Sequence, residues 1–202
     1  MNKKIYVYTL LIMLILVGSL TTTNHAAPES LRTIASPTNQ TEDDPFDVVM
    51  SVIMHSRCIN CHPAGDAPLQ GDDSKKHTFG VVRGDDGHGM PGLKCQTCHQ
   101  NENNAISGIP GAPNWAVAPA SMAWEGKSRV EIATQIMDPK RNGNRSAEDI
   151  LTHLTENELV LWAWEPGEDS KGKEREKPPV AKEEFIAAVT KWIDAGAPIP
   201  DE

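Results

Sequence analysis

The sequence predicts a mostly α-helical protein with long irregular loops. Three observations lead there. Apolar residues recur at helical spacing only in one early segment and in the C-terminal half, two long stretches are punctuated by Gly and Pro, and no run alternates as a strand would. The chain has 202 residues, with 15 Gly, 15 Pro and 5% aromatics. That suits one moderate domain or two very small ones.

The first helix is predicted from Asp44-Pro45, an Asp N-cap followed by Pro at the first helical position. Phe46, Val49, Ile53 and Met54 follow at near-helical spacing and carry the pattern into Cys58, with Met50 and Met54 read as core. From Pro63 to Gly92 the chain reads as loop, and residues 103–120 are a second aperiodic segment containing Trp115. Ser128 to Glu131 is a capping box opening a helix that stops at Asp138-Pro139, and Thr155 to Glu158 reads as another. The charged run Glu168 to Lys177 reads as a solvated loop. A last helix carries Phe185, Ile186, Val189, Trp192 and Ile193 on one face and ends at Gly196 and Pro198. Trp162, Trp164 and Trp192 are expected to pack in the interior.

The N-terminus is laid out for export. Lys3 and Lys4 precede the apolar run Ile5 to Val17, and small residues lead to Ala26-Ala27. Residues 1–27 are therefore read as a signal peptide, with a retained membrane anchor as the alternative. The apolar run is shorter than the ~20 residues of a spanning helix. Residues 28–43, rich in Pro, Thr, Ser and Asn, read as a flexible linker, and 44–202 as the folded domain. Net charge is −9, and loss of Lys3 and Lys4 takes it to −11. With Lys and Arg scattered, nucleic acid is excluded as a partner, and an anionic surface suits steering toward a basic protein.

The four cysteines carry the chemistry. Cys58-Ile59-Asn60-Cys61-His62 and Cys95-Gln96-Thr97-Cys98-His99 both read C-x-x-C-H, the pattern of covalent c-type haem attachment. On one helical turn, positions i and i+3 project from the same face, so two thiols reach the two vinyl groups along one porphyrin edge. The histidine that follows can aim a ring nitrogen at the iron. A four-cysteine zinc ribbon has ~15–20 residues between its pairs, whereas residues 62–94 separate these, and the histidines would then be coincidental. A thioredoxin-like pair wants a βαβ setting that the pattern lacks.

With these motifs the chain resembles the c-type cytochromes, specifically small exported di-haem ones. Asp44 to Pro63 is similar to an N-terminal helix and haem-binding turn, and Phe185 to Pro200 to the closing helix that crosses it. The chain is also similar to short exported di-haem proteins labelled as isoquinoline 1-oxidoreductase subunits. The resemblance implies two haem c groups, cytochrome c-like helices around them, a periplasmic location and electron transfer. Cys58 and Cys95 are only 37 positions apart, too few for each haem to have its own domain of ~50 residues or more. Both haems are therefore expected to share one core.

His62 and His99 are the expected proximal ligands. For the sixth positions, His77 and His88 in the Gly-rich connector are the favoured candidates, His55 a weaker one, and Met90 and Met122 the thioether alternatives. His153, in a polar helix, is expected to be a bystander. The function expected is single-electron transfer between redox partners, a dehydrogenase or another cytochrome, with bis-His ligation at both haems. The alternatives are an electron-accepting subunit of a periplasmic dehydrogenase, docking through an exposed surface such as 103–124, or a haem enzyme with an open distal site.

Overall fold

Asp44 starts the first helix by accepting the Phe46 N–H at 2.9 Å, and Pro45 has no N–H to satisfy. The computed structural model describes residues 43–201, so the export segment and all of the linker before Asp43 lie outside the described residues. Helix α1 (Pro45–Ile53) buries Phe46, Val49, Met50, Val52 and Ile53. It does not run on into Cys58. Met54 closes it and is 45% exposed rather than core. His55 then turns extended (ψ 152), and its ring Nδ1 accepts the Arg57 N–H at 3.3 Å. This cap opens a separate turn, α2 (Ser56–Ile59), which carries the first cysteine.

The connector between the motifs contains strands that the sequence pattern did not announce. Strand β1 (Leu69–Gln70) pairs antiparallel with β2 (Lys75–Lys76), and β3 (Gly89–Met90) with β4 (Leu93–Lys94). Two-residue ladders are too short for alternation to register. They are set by their turns, as at Gly71, whose φ of +80° leaves β1 in a conformation glycine adopts without strain.

The C-terminal half supplies most of the apolar packing. Ser128 and Glu131 form the expected reciprocal capping box at α3 (Arg129–Met137). The next box is not Thr155 to Glu158. Ser146 and Asp149 form it, opening α4 (Ala147–Glu156), and the Thr155 hydroxyl instead donates back to the Leu151 carbonyl at 2.8 Å inside that helix. Asn157 caps the short α5 (Glu158–Leu161) by accepting the N–H groups of Leu159 and Val160. Helix α6 (Lys182–Asp194) buries Phe185, Ala188, Val189 and Trp192. It packs on α1 and α4, with the Phe46 and Trp192 rings 6.3 Å apart. Trp164 is buried as expected, its indole donating to the Val180 carbonyl at 2.8 Å. Among the described residues no helix is long and apolar enough to cross a membrane.

The charged run 168–177 is more than a solvated loop. Arg175 donates to the Gly108 carbonyl, and the Glu176 carbonyl accepts from Arg57 Nε at 2.9 Å. Arg57 itself is 5% exposed and paired with Asp72. Desolvation alone would raise the Asp72 pKa, but hydrogen bonds from Lys173 and the Glu176 N–H, together with the Arg57 charge, hold it below the ordinary carboxylate value. The ionised form is thus favoured in the native state. Its stabilisation is present above the unfolded pKa and is lost as pH falls through the lower folded value. Asp72→Asn leaves the buried guanidinium without its counter-charge. At neutral pH it should cost about 3 kcal/mol in urea unfolding and flatten the acid limb of the stability curve. Equal midpoints for the two proteins at pH 7 would contradict this.

Candidate functional site

Each C-x-x-C-H motif is folded into one tight turn. In the first, the Cys61 and His62 N–H groups donate to the Cys58 carbonyl at 3.1 and 3.2 Å. In the second, the Cys98 and His99 N–H groups donate to the Cys95 carbonyl at 3.2 and 2.9 Å. The same pair of bonds thus places both cysteines and the histidine of each motif on one turn. All four thiols are free.

The likeness extends to the histidine rings. His62 donates from Nδ1 to the Met122 carbonyl and His99 from Nδ1 to the Pro110 carbonyl, both at 2.7 Å. In each case the outer nitrogen, Nε2, keeps its lone pair. Each ring also lies flat against a tryptophan. His62 stacks on Trp124 with centroids 3.4 Å apart and planes 6° apart, and His99 on Trp115 at 4.4 Å and 2°. Neither tryptophan could be paired with a histidine from sequence, because the contacts span loops with no periodicity. Segment 103–124 is accordingly not an exposed surface throughout: Ala112, Val117, Met122 and Trp124 are buried.

The first motif opens into a cavity walled mainly by apolar side chains, including Val52, Ile53 and Leu154, with Cys58, Cys61 and His62 in its lining. His153 and Trp162 line the same cavity. His153 is therefore not a remote bystander: α4 turns it inward beside the buried Ile150 and Leu154. Burial pushes the His62 pKa down to about 3 and that of His153 down to about 4, so both rings are neutral near pH 7. Burial, reinforced by the neighbouring thiol, raises Cys58 to about 12. Burial likewise raises Cys61 to about 11, with the Cys95 thiol adding to the rise.

The remaining candidates separate clearly. His77, from the end of the first hairpin, brings its ring centroid to 6.0 Å from that of His99, with planes 67° apart. His88 Nδ1 lies 3.2 Å from the Trp115 carbonyl and 3.0 Å from Nε2 of the second motif's Gln96, and His55 is occupied in capping α2. The Met90 side chain is 51% exposed. Met122 is buried in the cavity wall, and its backbone carbonyl is what holds His62.

The donor set suits a flat, acid-bearing ligand attached through the thiols. Trp124 lines the cavity with its indole N–H buried and unpartnered, an orphan donor that a carboxylate would satisfy. Arg145 lies on the same lining. Among the described residues no three His, Cys, Asp or Glu side chains gather to hold a bare metal ion, so the four thiols do not converge as a zinc ribbon requires.

Around the second motif, Asn103 ties the parts together. It accepts from the Trp162 indole at 2.9 Å and the Gly111 N–H at 3.0 Å, and donates to the Glu165 carbonyl at 2.8 Å. Gly111 follows the carbonyl that orients His99, and a Cβ there would collide with the carbonyls of Gln100 and Glu102.

Thiol exposure differs sharply along the chain, Cys98 being exposed and Cys95 buried. In the protein with its thiols free, at pH 8, Cys98 should be alkylated first and Cys58 and Cys61, whose thiols burial holds well above the ordinary value, at least tenfold more slowly, as read by peptide mass spectrometry. Uniform labelling of all four would contradict the arrangement.

Comparison with known proteins gives no identification: no family model, curated protein or solved structure matches this chain.

Proposed function

We propose that the protein is a periplasmic di-haem c-type cytochrome that carries single electrons between redox proteins, its partner being a dehydrogenase or another cytochrome. One observation carries the reading. Twice in the chain, a turn with two thiols ends in a histidine whose Nδ1–H is held by a carbonyl at 2.7 Å. That second bond fixes the tautomer and leaves Nε2 as a metal ligand, the usual arrangement for an iron-bound imidazole.

Cys58, Cys61 and His62 would hold one haem, and Cys95, Cys98 and His99 the other. In attachment each thiol adds across one vinyl group: sulfur bonds to one carbon, the thiol hydrogen ends on the other, and nothing is oxidised overall. The neutral state of His62 near pH 7 suits ligation, since no proton must first be displaced. His77, whose ring centroid lies 6.0 Å from that of His99, would be the second imidazole available to that haem. A bound haem supplies a one-electron ferric/ferrous couple, which the protein tunes through axial ligands and burial. The apolar walls around His62 would keep water from the iron, and the Trp124 N–H and Arg145 would meet the acid groups.

Export is part of the reading, since haem attachment of this kind belongs outside the cytoplasm. Expressed at full length with a haem-attachment pathway, the protein should give two haem c per chain by pyridine haemochrome and an intact mass raised by two haems. Cys58→Ser with Cys61→Ser should leave one. No covalent haem in the exported wild type would overturn the proposal.

A further inference from the structure

Six histidines lie among the described residues, and five have a hydrogen bond at Nδ1. His55 accepts from the Arg57 N–H, while His62, His77, His88 and His99 meet carbonyls. His153 alone has no hydrogen-bond partner for either ring nitrogen among the described residues. Yet it is not a surface residue free to use bulk water at will. It is half-buried on the inner side of α4, between Ile150 (3% exposed) and Leu154 (5% exposed), in the wall of the cavity that contains Cys58, Cys61 and His62. A half-buried polar ring with no protein partner, set in an apolar wall, is unfavourable unless something in the cavity engages it.

Of the other residues that could bind an iron, Met54 is 45% exposed at the end of α1 and the His55 ring caps α2. Met122 also lines the cavity, but it lies on the loop whose backbone carbonyl holds His62, and its thioether leaves no polar group unpartnered, whereas the His153 ring does. His153 comes from an element far removed in sequence from the first motif. The Ser146–Asp149 capping box sets where α4 begins, and so which of its residues face the cavity. Residues at i, i+3 and i+4 share a helix face, which is why His153 points inward with Ile150 and Leu154.

We propose that His153 is the second axial ligand of the iron held by His62. The proposal rests on the haem reading above. It makes the two sites alike, His62 with His153 and His99 with His77, although the second members come from unrelated elements: a C-terminal helix in one case and a hairpin loop in the other.

The test uses the full-length exported protein in three forms: wild type, His153→Ala and His153→Met. Haemochrome counting is done first, because it reports on covalent attachment and not on the sixth ligand. A wild type with no covalent haem defeats the haem reading and this assignment with it. With two haems present in all three proteins, wild type should show only low-spin ferric signals by low-temperature EPR and bind no carbon monoxide when reduced. His153→Ala should convert one of its two haems to high spin and bind one carbon monoxide per chain, and added imidazole should restore the low-spin signal. His153→Met should instead keep both haems low-spin while gaining a sulfur-to-iron charge-transfer band. If His153→Ala folds poorly, the Met variant decides alone. Two unchanged low-spin haems in His153→Ala, or no sulfur band in His153→Met, would overturn the assignment, as would a high-spin haem already present in wild type.

Discussion

The hydrogen bond from His62 Nδ1 to the Met122 carbonyl, at 2.7 Å, is the contact around which the irregular half of this protein is arranged. It joins a turn near the start of the domain to a loop sixty residues later, and it does not act alone. The Trp124 backbone N–H donates back to the His62 carbonyl at 2.9 Å, and the Ala118 backbone N–H to the Cys61 carbonyl at 2.9 Å. Residues 118–124 are thereby stitched to the first motif. The same loop serves the second motif: the Val117 N–H donates to Gly87 at 2.8 Å, and the Trp115 carbonyl lies 3.2 Å from His88 Nδ1. One loop, having almost no regular structure of its own, sets the positions of both histidine turns.

Such a loop needs support that a hydrophobic core does not provide. The apolar cluster is confined to α1, α3, α4, α6 and the residues packed on them. Across 63–120 the framework is polar instead. Arg83, 7% exposed, donates to the carbonyls of Ala118 and Gly65 at 2.7 and 2.9 Å and pairs with Asp66. Arg57 does the same between Glu176 and Asp72. A guanidinium has five donors in a fixed plane, so one side chain can satisfy several carbonyls of irregular backbone at once. Burying such a charge is costly when it is left unpaired, which ties the stability of the loop region to these two side chains. It also explains how a chain with 5% aromatics orders a segment that has few large apolar residues.

What could be read from sequence was what is decided locally. The motif turns, the Asp44-Pro45 start, the Ser128 box and the face of α6 all depend on residues within about one helical turn of each other. The break at His55 was not legible, because a histidine capping a helix resembles a histidine within one. The Ser146–Asp149 box was present in the sequence but overshadowed by Thr155 and Glu158, which match the pattern without forming it. The stacking of Trp124 on His62 and Trp115 on His99 has no sequence signature at all. These contacts bridge 62 and 16 positions of unpatterned chain, and they depend on where carbonyls 122 and 110 hold the imidazoles. The inward facing of His153 is hidden in the sequence for a related reason: α4 is polar on average, and only its register shows that this histidine lines the cavity.

The two sites are also joined by ring contacts, and this bears on how an electron carrier of this size would work. His99 stacks on Trp115, Trp115 meets the edge of Trp162 at 4.9 Å, and Trp162 lines the cavity of the first motif. Asn103 holds the Trp162 indole while also holding Gly111, next to the carbonyl that orients His99. A shift at either motif therefore has to be transmitted through packed rings and one amide side chain rather than absorbed by a hinge. Rigidity of this sort suits one-electron chemistry, where a site that changes shape little between oxidation states loses little energy to rearrangement. The 37 positions between the motifs thus separate two turns that are linked through Trp115, Trp162 and Asn103.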